Sequence, residues 1–187
     1  MGRLFPSIDE PLHAFLLAQH VFFVATAPSG SDGHVNCSPK GGDSFRVLGP
    51  TTVAWLDRVG SGIETIAHLR QNARIVIMFC AFEGAPKIVR LHGRGEVIEA
   101  GDEQFAGLVA RFGSPGLGVR AVIRVELTRI SDSCGFGVPL YHHEGERDQL
   151  AKSAERRGEQ GLLAYMREKN ACSLDGLPGL RWPGDAG

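Results

Sequence analysis

The longest uninterrupted apolar run in this chain, Ile75 to Phe82, is only eight residues long. A bilayer-spanning helix needs roughly 20. The run is β-branched at its start and bounded by polar residues. It therefore reads as a strand, and its unbroken character predicts burial on both faces. Around it lie other short apolar segments, separated by loops rich in Gly, Pro, Asn, Asp and Ser. The 25 glycines are scattered and follow no period, so neither a collagen-like chain nor a flexible linker fits. Many turns between short apolar runs predict many strands.

Three further strands follow from pattern. "VFFVATA" (21–27) and "HVNCS" (34–38) flank a Gly/Ser/Asp loop and form a hairpin. "TTVAWLD" (51–57) is a third. Two long segments alternate. In "KIVRLHGRGEVI" (87–98), Val89, Leu91 and Val97 point one way, and Arg90, His92, Arg94 and Glu96 the other. "VRAVIRVELTRI" (119–130) behaves the same way. Helical spacing appears at 7–19 (Ile8, Leu12, Phe15, Leu16), with Ser7 or Asp9 as the cap; Pro11 is tolerated only in the first turn, which favours the later start. It recurs at 102–112 and, in one or two surface helices, at 144–169. Ser61 and Glu64 match a capping box ahead of Ile63, Ile66 and Ala67. The first strands are joined by short loops or a single helix, without repeated βαβ units. The pattern predicts a mainly β (α+β) fold: a six-stranded antiparallel sheet curled or closed into a barrel, with flanking helices.

Charge and cysteine content narrow the function. The net charge of −1 argues against a nucleic-acid binder and a polybasic membrane-surface protein. Asp9 and Glu10 stand where a secretory signal would need an apolar run, so a cytoplasmic protein is expected. Cys37, Cys80, Cys134 and Cys172 include no CxxC pair and read as reduced thiols. His142 and His143 are adjacent, a spacing that points them to opposite faces of a strand, and no metal site is expected there.

Two segments carry anion-binding character. "RVGSG" (58–62) leads from a strand ending at Asp57 into a helix whose N-terminus presents unpaired N–H groups and a partial positive charge. "NCSPKGG" (36–42) runs from a strand edge through Pro and two Gly, with Lys40 between them. The competing readings are an ordinary capped helix and a surface turn. His92, flanked by Arg90 and Arg94, could donate a proton near neutral pH. No G-x-S-x-G, H-E-x-x-H, Walker A or G-x-G-x-x-G motif is present.

The order of these pieces, "HVFFVATAPSGSDGHVNCSPKGG", "TVAWLDRVGSG", "IETIAHLRQNARIVIMF" and "VRLHGRGEV", resembles the pyridoxamine 5′-phosphate oxidase-like family of FMN-binding split barrels over roughly residues 8–130. The resemblance implies a split-barrel domain at 1–135, with 136–187 as a helical extension packed on the same domain. It implies FMN as cofactor, a homodimer with the flavin at its interface, and a small-molecule substrate. It places Val35, Asn36, Cys37, Ser38 and Lys40 on the strand edge beside the flavin. Trp55, Leu56, Asp57 and Arg58 follow on a second contact segment, and Ser61 and Gly62 lie near the phosphate. Many members carry Ser-Arg-Lys at the helix start. Here Ser61 is followed by Gly62 and Ile63, which leaves the phosphate charge to Lys40, Arg58 or Arg70. Arg120 and Arg124 are candidates for the partner-subunit side. The Arg-x-His segment of the true pyridoxamine phosphate oxidases is missing. An FMN-dependent oxidoreductase is the leading reading. A non-catalytic flavin or haem module and a deazaflavin-dependent reductase are the alternatives.

Overall fold

In the computed structural model, which describes residues 2–182, the chain forms an antiparallel sheet with four helices. In chain order these are β1 (Leu4–Phe5), α1 (Glu10–Leu17), β2 (Val21–Thr26), β3 (Asn36–Gly41), β4 (Phe45–Gly49) and β5 (Thr52–Arg58). They are followed by α2 (Glu64–Asn72), β6 (Arg74–Cys80), β7 (Ile88–Glu99), α3 (Phe105–Ala110), β8 (Val119–Ser133) and α4 (Gln149–Lys169).

The strands run in the order β3-β2-β6-β7-β8-β5-β4, and β1 adds to β8. The two edges, β3 and β4, are consecutive in the chain. Only residues 42–44 separate them, and Gly42 takes φ +65° in that turn. Three residues span so little distance that the edges must meet at one end, and the sheet curls into a split barrel. Eight strands replace the six expected. The additions are β1, only two residues long, and β4, whose sequence FRVLG is short and does not alternate. The segment after Ser38 also belongs to a strand. β3 continues to Gly41, pairing Phe22 with Lys40 and Val21 with Gly41.

The barrel interior is one apolar cluster. Phe22, Phe45, Trp55 and Phe79 pack ring against ring at its centre, and α1 closes it with Leu12 and Leu16. Asp9 caps α1, its side chain accepting a 2.9 Å bond from the Leu12 N–H, with Pro11 in the first turn. A second cluster on the opposite sheet face joins Leu56, Ile98 and Val122 to Phe112. β6 corrects one expectation. Ile75, Ile77 and Phe79 are buried, but the alternate residues Val76 and Met78 remain half-exposed, so only one face is packed within the chain.

α2 lies against β7 and β2, and also touches β6. Gly95 allows this, since its N–H bonds the Ala73 carbonyl at 2.8 Å and a Cβ there would sit 2.7 Å from Leu69 Cδ2. α4 is broken at Gly158, where φ is 61°. Beyond α4, residues 170–182 form a strap along α2. Gly179 packs against Ile63 and Asn170, Arg70 bonds the Gly179 carbonyl and pairs with Glu99, and Arg181 pairs with Asp102. This Gly/Pro-rich segment has an irregular backbone yet is pinned as far as Trp182, and residues 183–187 lie outside the described residues. The four cysteines are free thiols. No helix among the described residues is long and apolar enough to cross a membrane.

Candidate functional site

The split between β3 and the β5–β8 side opens as a cleft of about 280 Å³ beside the start of α2. β3 contributes by its period of two. Asn36, Ser38 and Lys40 share the half-buried face, while Cys37 and Gly41 face outward. Asn36 donates to Thr65 Oγ1 in the first turn of α2 (3.1 Å), and Ser38 donates to Asn36 Oδ1 (3.1 Å). Lys40 reaches across the split to Asp57 (3.0 Å).

Asp57 continues the inward face of Val53 and Trp55 and is fully buried. Burial alone would raise its pKa. The charges of Lys40 and Arg120, together with their hydrogen bonds, overcome that and hold the carboxyl below its ordinary value. Arg120 is brought there by a bulge. Asp57 pairs with Ala121 and Arg58 with Val119, which leaves Arg120 as the extra residue, turned inward. Its Nε donates to Asp57 Oδ2 at 2.7 Å and its Nη1 to Asn170 Oδ1 at 2.9 Å. Asn170 is itself fully buried and donates to the Gly60 carbonyl.

The cleft wall is completed by Arg58, Gly60, Gly62, Glu64 and Thr65. Arg58 donates to the Pro115 carbonyl at 2.8 Å, and partial burial lowers its pKa without discharging it. The expected capping box is not formed. Ile63 is the N-cap, no side chain caps the helix, and Ser61 is exposed. Glu64 is instead the first helical residue, and its carboxylate accepts from Leu174 N–H of the strap (3.3 Å). The local motif loses because the strap brings a competing donor. The first-turn N–H groups of this nine-residue helix are consequently left without a side-chain acceptor.

The predicted residues therefore separate. Ser38, Lys40, Arg58 and Gly62 line the cleft, Asn36 braces it, and Asp57 lies beneath it. Trp55 and Leu56 place their side chains in the two cores, and Val35 and Cys37 point to solvent. Arg70 is committed to Gly179 and Glu99 and does not line the cleft. Arg124 pairs with Glu96 on the surface. His92 is half-buried, and burial with the charges of Arg129 and Arg90 lowers its pKa. Sequence reasoning missed Thr65 and Asn170 and gave Arg120 only to a partner-facing surface. No local signal marks Asn170. The alternation from Val119 puts Arg120 on the same face as Arg124, so no local signal marks its inward turn either.

Three cations thus converge on the cleft, against the carboxylates of Asp57 and Glu64, beside an uncapped helix N-terminus. The arrangement suits a phosphate-bearing ligand, whose oxygens take charge-assisted bonds from Lys or Arg and from free backbone N–H groups.

Residues 8–134 match the model of the pyridoxamine 5′-phosphate oxidase family. The pyridoxamine 5′-phosphate oxidase family protein ustO of Aspergillus flavus is 44% identical over 198 residues, spanning 96% of this chain and 78% of that protein. Among solved structures, a His-to-Ala variant of HupZ of Group A Streptococcus overlays with a TM-score of 0.54 at 23% identity, covering 67% of this chain and 99% of that one. A Lactobacillus delbrueckii protein provisionally called a pyridoxamine 5′-phosphate oxidase gives a TM-score of 0.52 at 17% identity, covering 69% and 97%. At these identities the two structures speak for the fold.

Proposed function

Because the chain belongs to the pyridoxamine 5′-phosphate oxidase family, we propose that it is an FMN-binding flavoprotein, an oxidoreductase acting on a small molecule. The observation that carries this reading is the convergence of Lys40, Arg58 and Arg120 on a cleft at an uncapped helix start. When bound, FMN supplies hydride and electron chemistry.

The donor set fits the phosphate end of that cofactor. Lys40 and Arg58 reach the cleft from opposite sides of the split, and the first-turn N–H groups of α2 complete the cradle. Asp57 holds Lys40 and Arg120 in fixed positions, so little side-chain freedom is lost on binding. Asn36 and Ser38 offer polar groups along the β3 edge for a ring system lying against it. The missing Ser-Arg-Lys run is compensated in this reading by Arg120, delivered by its bulge.

The same reading includes a homodimer in the cytoplasm. The outward face of the β2–β6 pair carries Phe23, Ala25, Val76 and Met78. Phe23 pairs with Met78 and Ala25 with Val76, and all four are only partly buried within one chain. On β3, Pro39 and Cys37 extend that row. A second copy would cover the stripe and wall the β3 edge, where the flavin ring would lie.

The test is an absorbance spectrum of the purified chain after FMN is added and free flavin removed. Retention of the oxidised-flavin bands, weakened in Lys40→Met and Arg58→Met, supports the reading. A protein that holds no FMN overturns it. Deazaflavin and haem titrations then test the rival cofactors. Gel filtration at twice the 20.1 kDa chain mass supports the dimer, and elution as a flavin-loaded monomer sinks it.

A further inference from the structure

Three side chains from two distant parts of the sequence meet beside the β2–β3 hairpin, and none of them lines the α2 cleft. His20 precedes β2, and His143 and Glu146 lie in the connection between β8 and α4. One donor atom from each lies within 4.8 Å of the other two. The His20 and His143 rings stack at 3.6 Å, and His143 Nε2 is 3.7 Å from Glu146 Oε1. We propose that His20, His143 and Glu146 form a binding site for one divalent transition-metal ion of the zinc class, with a coordination position left open toward a neighbouring cleft.

The ligand chemistry selects the ion. Two imidazoles and one carboxylate suit zinc and its neighbours among the transition metals. Oxygen-only sets suit calcium and magnesium. Three protein ligands leave a fourth position for water or a ligand, as sites with exchangeable chemistry require. That position has room, since a cleft of about 340 Å³ adjoins the two imidazoles, with Phe82 and Tyr141 in its wall.

The surrounding structure fixes the less regular half of the site. The Tyr141 N–H bonds the Phe82 carbonyl and the His143 N–H bonds Glu83, each at 2.9 Å, while the Phe82 and Tyr141 rings stand 5.5 Å apart. His142 turns away to Glu83 (3.3 Å), leaving its neighbour to face His20. The other half rests on the sheet. Val21, next to His20, pairs with Gly41, and a Cβ on Gly41 would lie 3.9 Å from Glu146 Oε2. His20 is exposed and His143 half-buried, so their rings can turn both nitrogens toward one ion by side-chain rotation.

The experiment is a zinc titration of the chelator-treated full chain by calorimetry at neutral pH, with circular dichroism of each variant as the folding control. One zinc per chain is expected. His20→Ala and His143→Ala should each weaken binding by more than about 100-fold, beyond the roughly 10- to 100-fold that loss of an outer-shell partner costs. His142→Ala should cost less than about tenfold, because its side chain lies outside the set. Glu146→Gln, the mildest change in shape, gives a second route should a His variant misfold, and it too should weaken binding. Absence of saturable zinc binding would overturn the proposal. So would unchanged affinity in the folded His20→Ala/His143→Ala double variant, or a His142→Ala loss as large as that of His143→Ala.

Discussion

Replacing Asp57 by Asn removes the negative charge that holds the split together. The Asp57 side chain has no exposed surface and takes bonds from Lys40 at 3.0 Å and Arg120 at 2.7 Å. Asparagine keeps the shape but leaves the Arg120 guanidinium, 5% exposed, with only the Asn170 side chain and the Gly60 carbonyl. Removing one partner of a buried ion pair costs about 3–5 kcal/mol. The new amide still accepts one bond, worth about 1 kcal/mol. Lys40, at 22% exposure, can turn toward water. The expected loss therefore sits at the low end, about 3 kcal/mol, or a fall in Tm of about 6–12 °C for a chain of this length. Urea unfolding followed by circular dichroism would show a lower midpoint with an unchanged slope. Adding Arg120→Met should recover part of the loss, since the stranded charge goes with it. The effect is also pH-dependent. The folded carboxyl has a lowered pKa, so its stabilisation is complete above the unfolded value of about 3.9 and drains away as pH falls through the folded value. The gap between wild type and Asp57→Asn should accordingly be constant near neutrality and close only in acid. A loss below about 1 kcal/mol at neutral pH, or no recovery in the double variant, would refute the reasoning.

Lys40→Met should weaken FMN retention more than it weakens the fold, because Lys40 is the more exposed partner of Asp57; equilibrium dialysis beside a urea melt separates the two. Gly95→Ala should destabilise by about 1–3 kcal/mol through overpacking against Leu69, and it should loosen FMN as well, because α2 and its N-terminus shift together; a melt with normal flavin retention would break that link. His68 is fully buried with Nδ1 3.0 Å from Thr26 Oγ1, and burial lowers its pKa. The unfolded chain then takes up a proton more readily, so stability should fall as pH drops through the unfolded value of about 6.5 toward the folded one. His68→Gln should flatten that slope in urea melts across the same range, and an unchanged slope would assign it to another group.

The local sequence pattern determined most of the sheet. Alternation along 87–98 and 119–130 marked β7 and β8 because a half-buried strand needs a period of two. The Asp9–Pro11 start placed α1, and the strand edge after Asn36 and the loop after Asp57 both reached the cleft. β4 escaped because it is five residues long and lies at an edge, where one neighbour imposes little pattern. The inward or outward aim of each side chain was a tertiary decision. Trp55 and Arg58 belong to one predicted segment, yet one ring lies in the core and the other side chain in the cleft. Arg120 entered the site through a one-residue bulge that only pairing with β5 produces. Asn170 arrived on the strap, and the same strap took Glu64 from its expected capping role. His20 and His143 stack although more than a hundred residues separate them. Periodicity records which face of a segment is apolar, whereas register, bulges and distant encounters depend on how all the segments close around one core, and no single window of sequence contains that information.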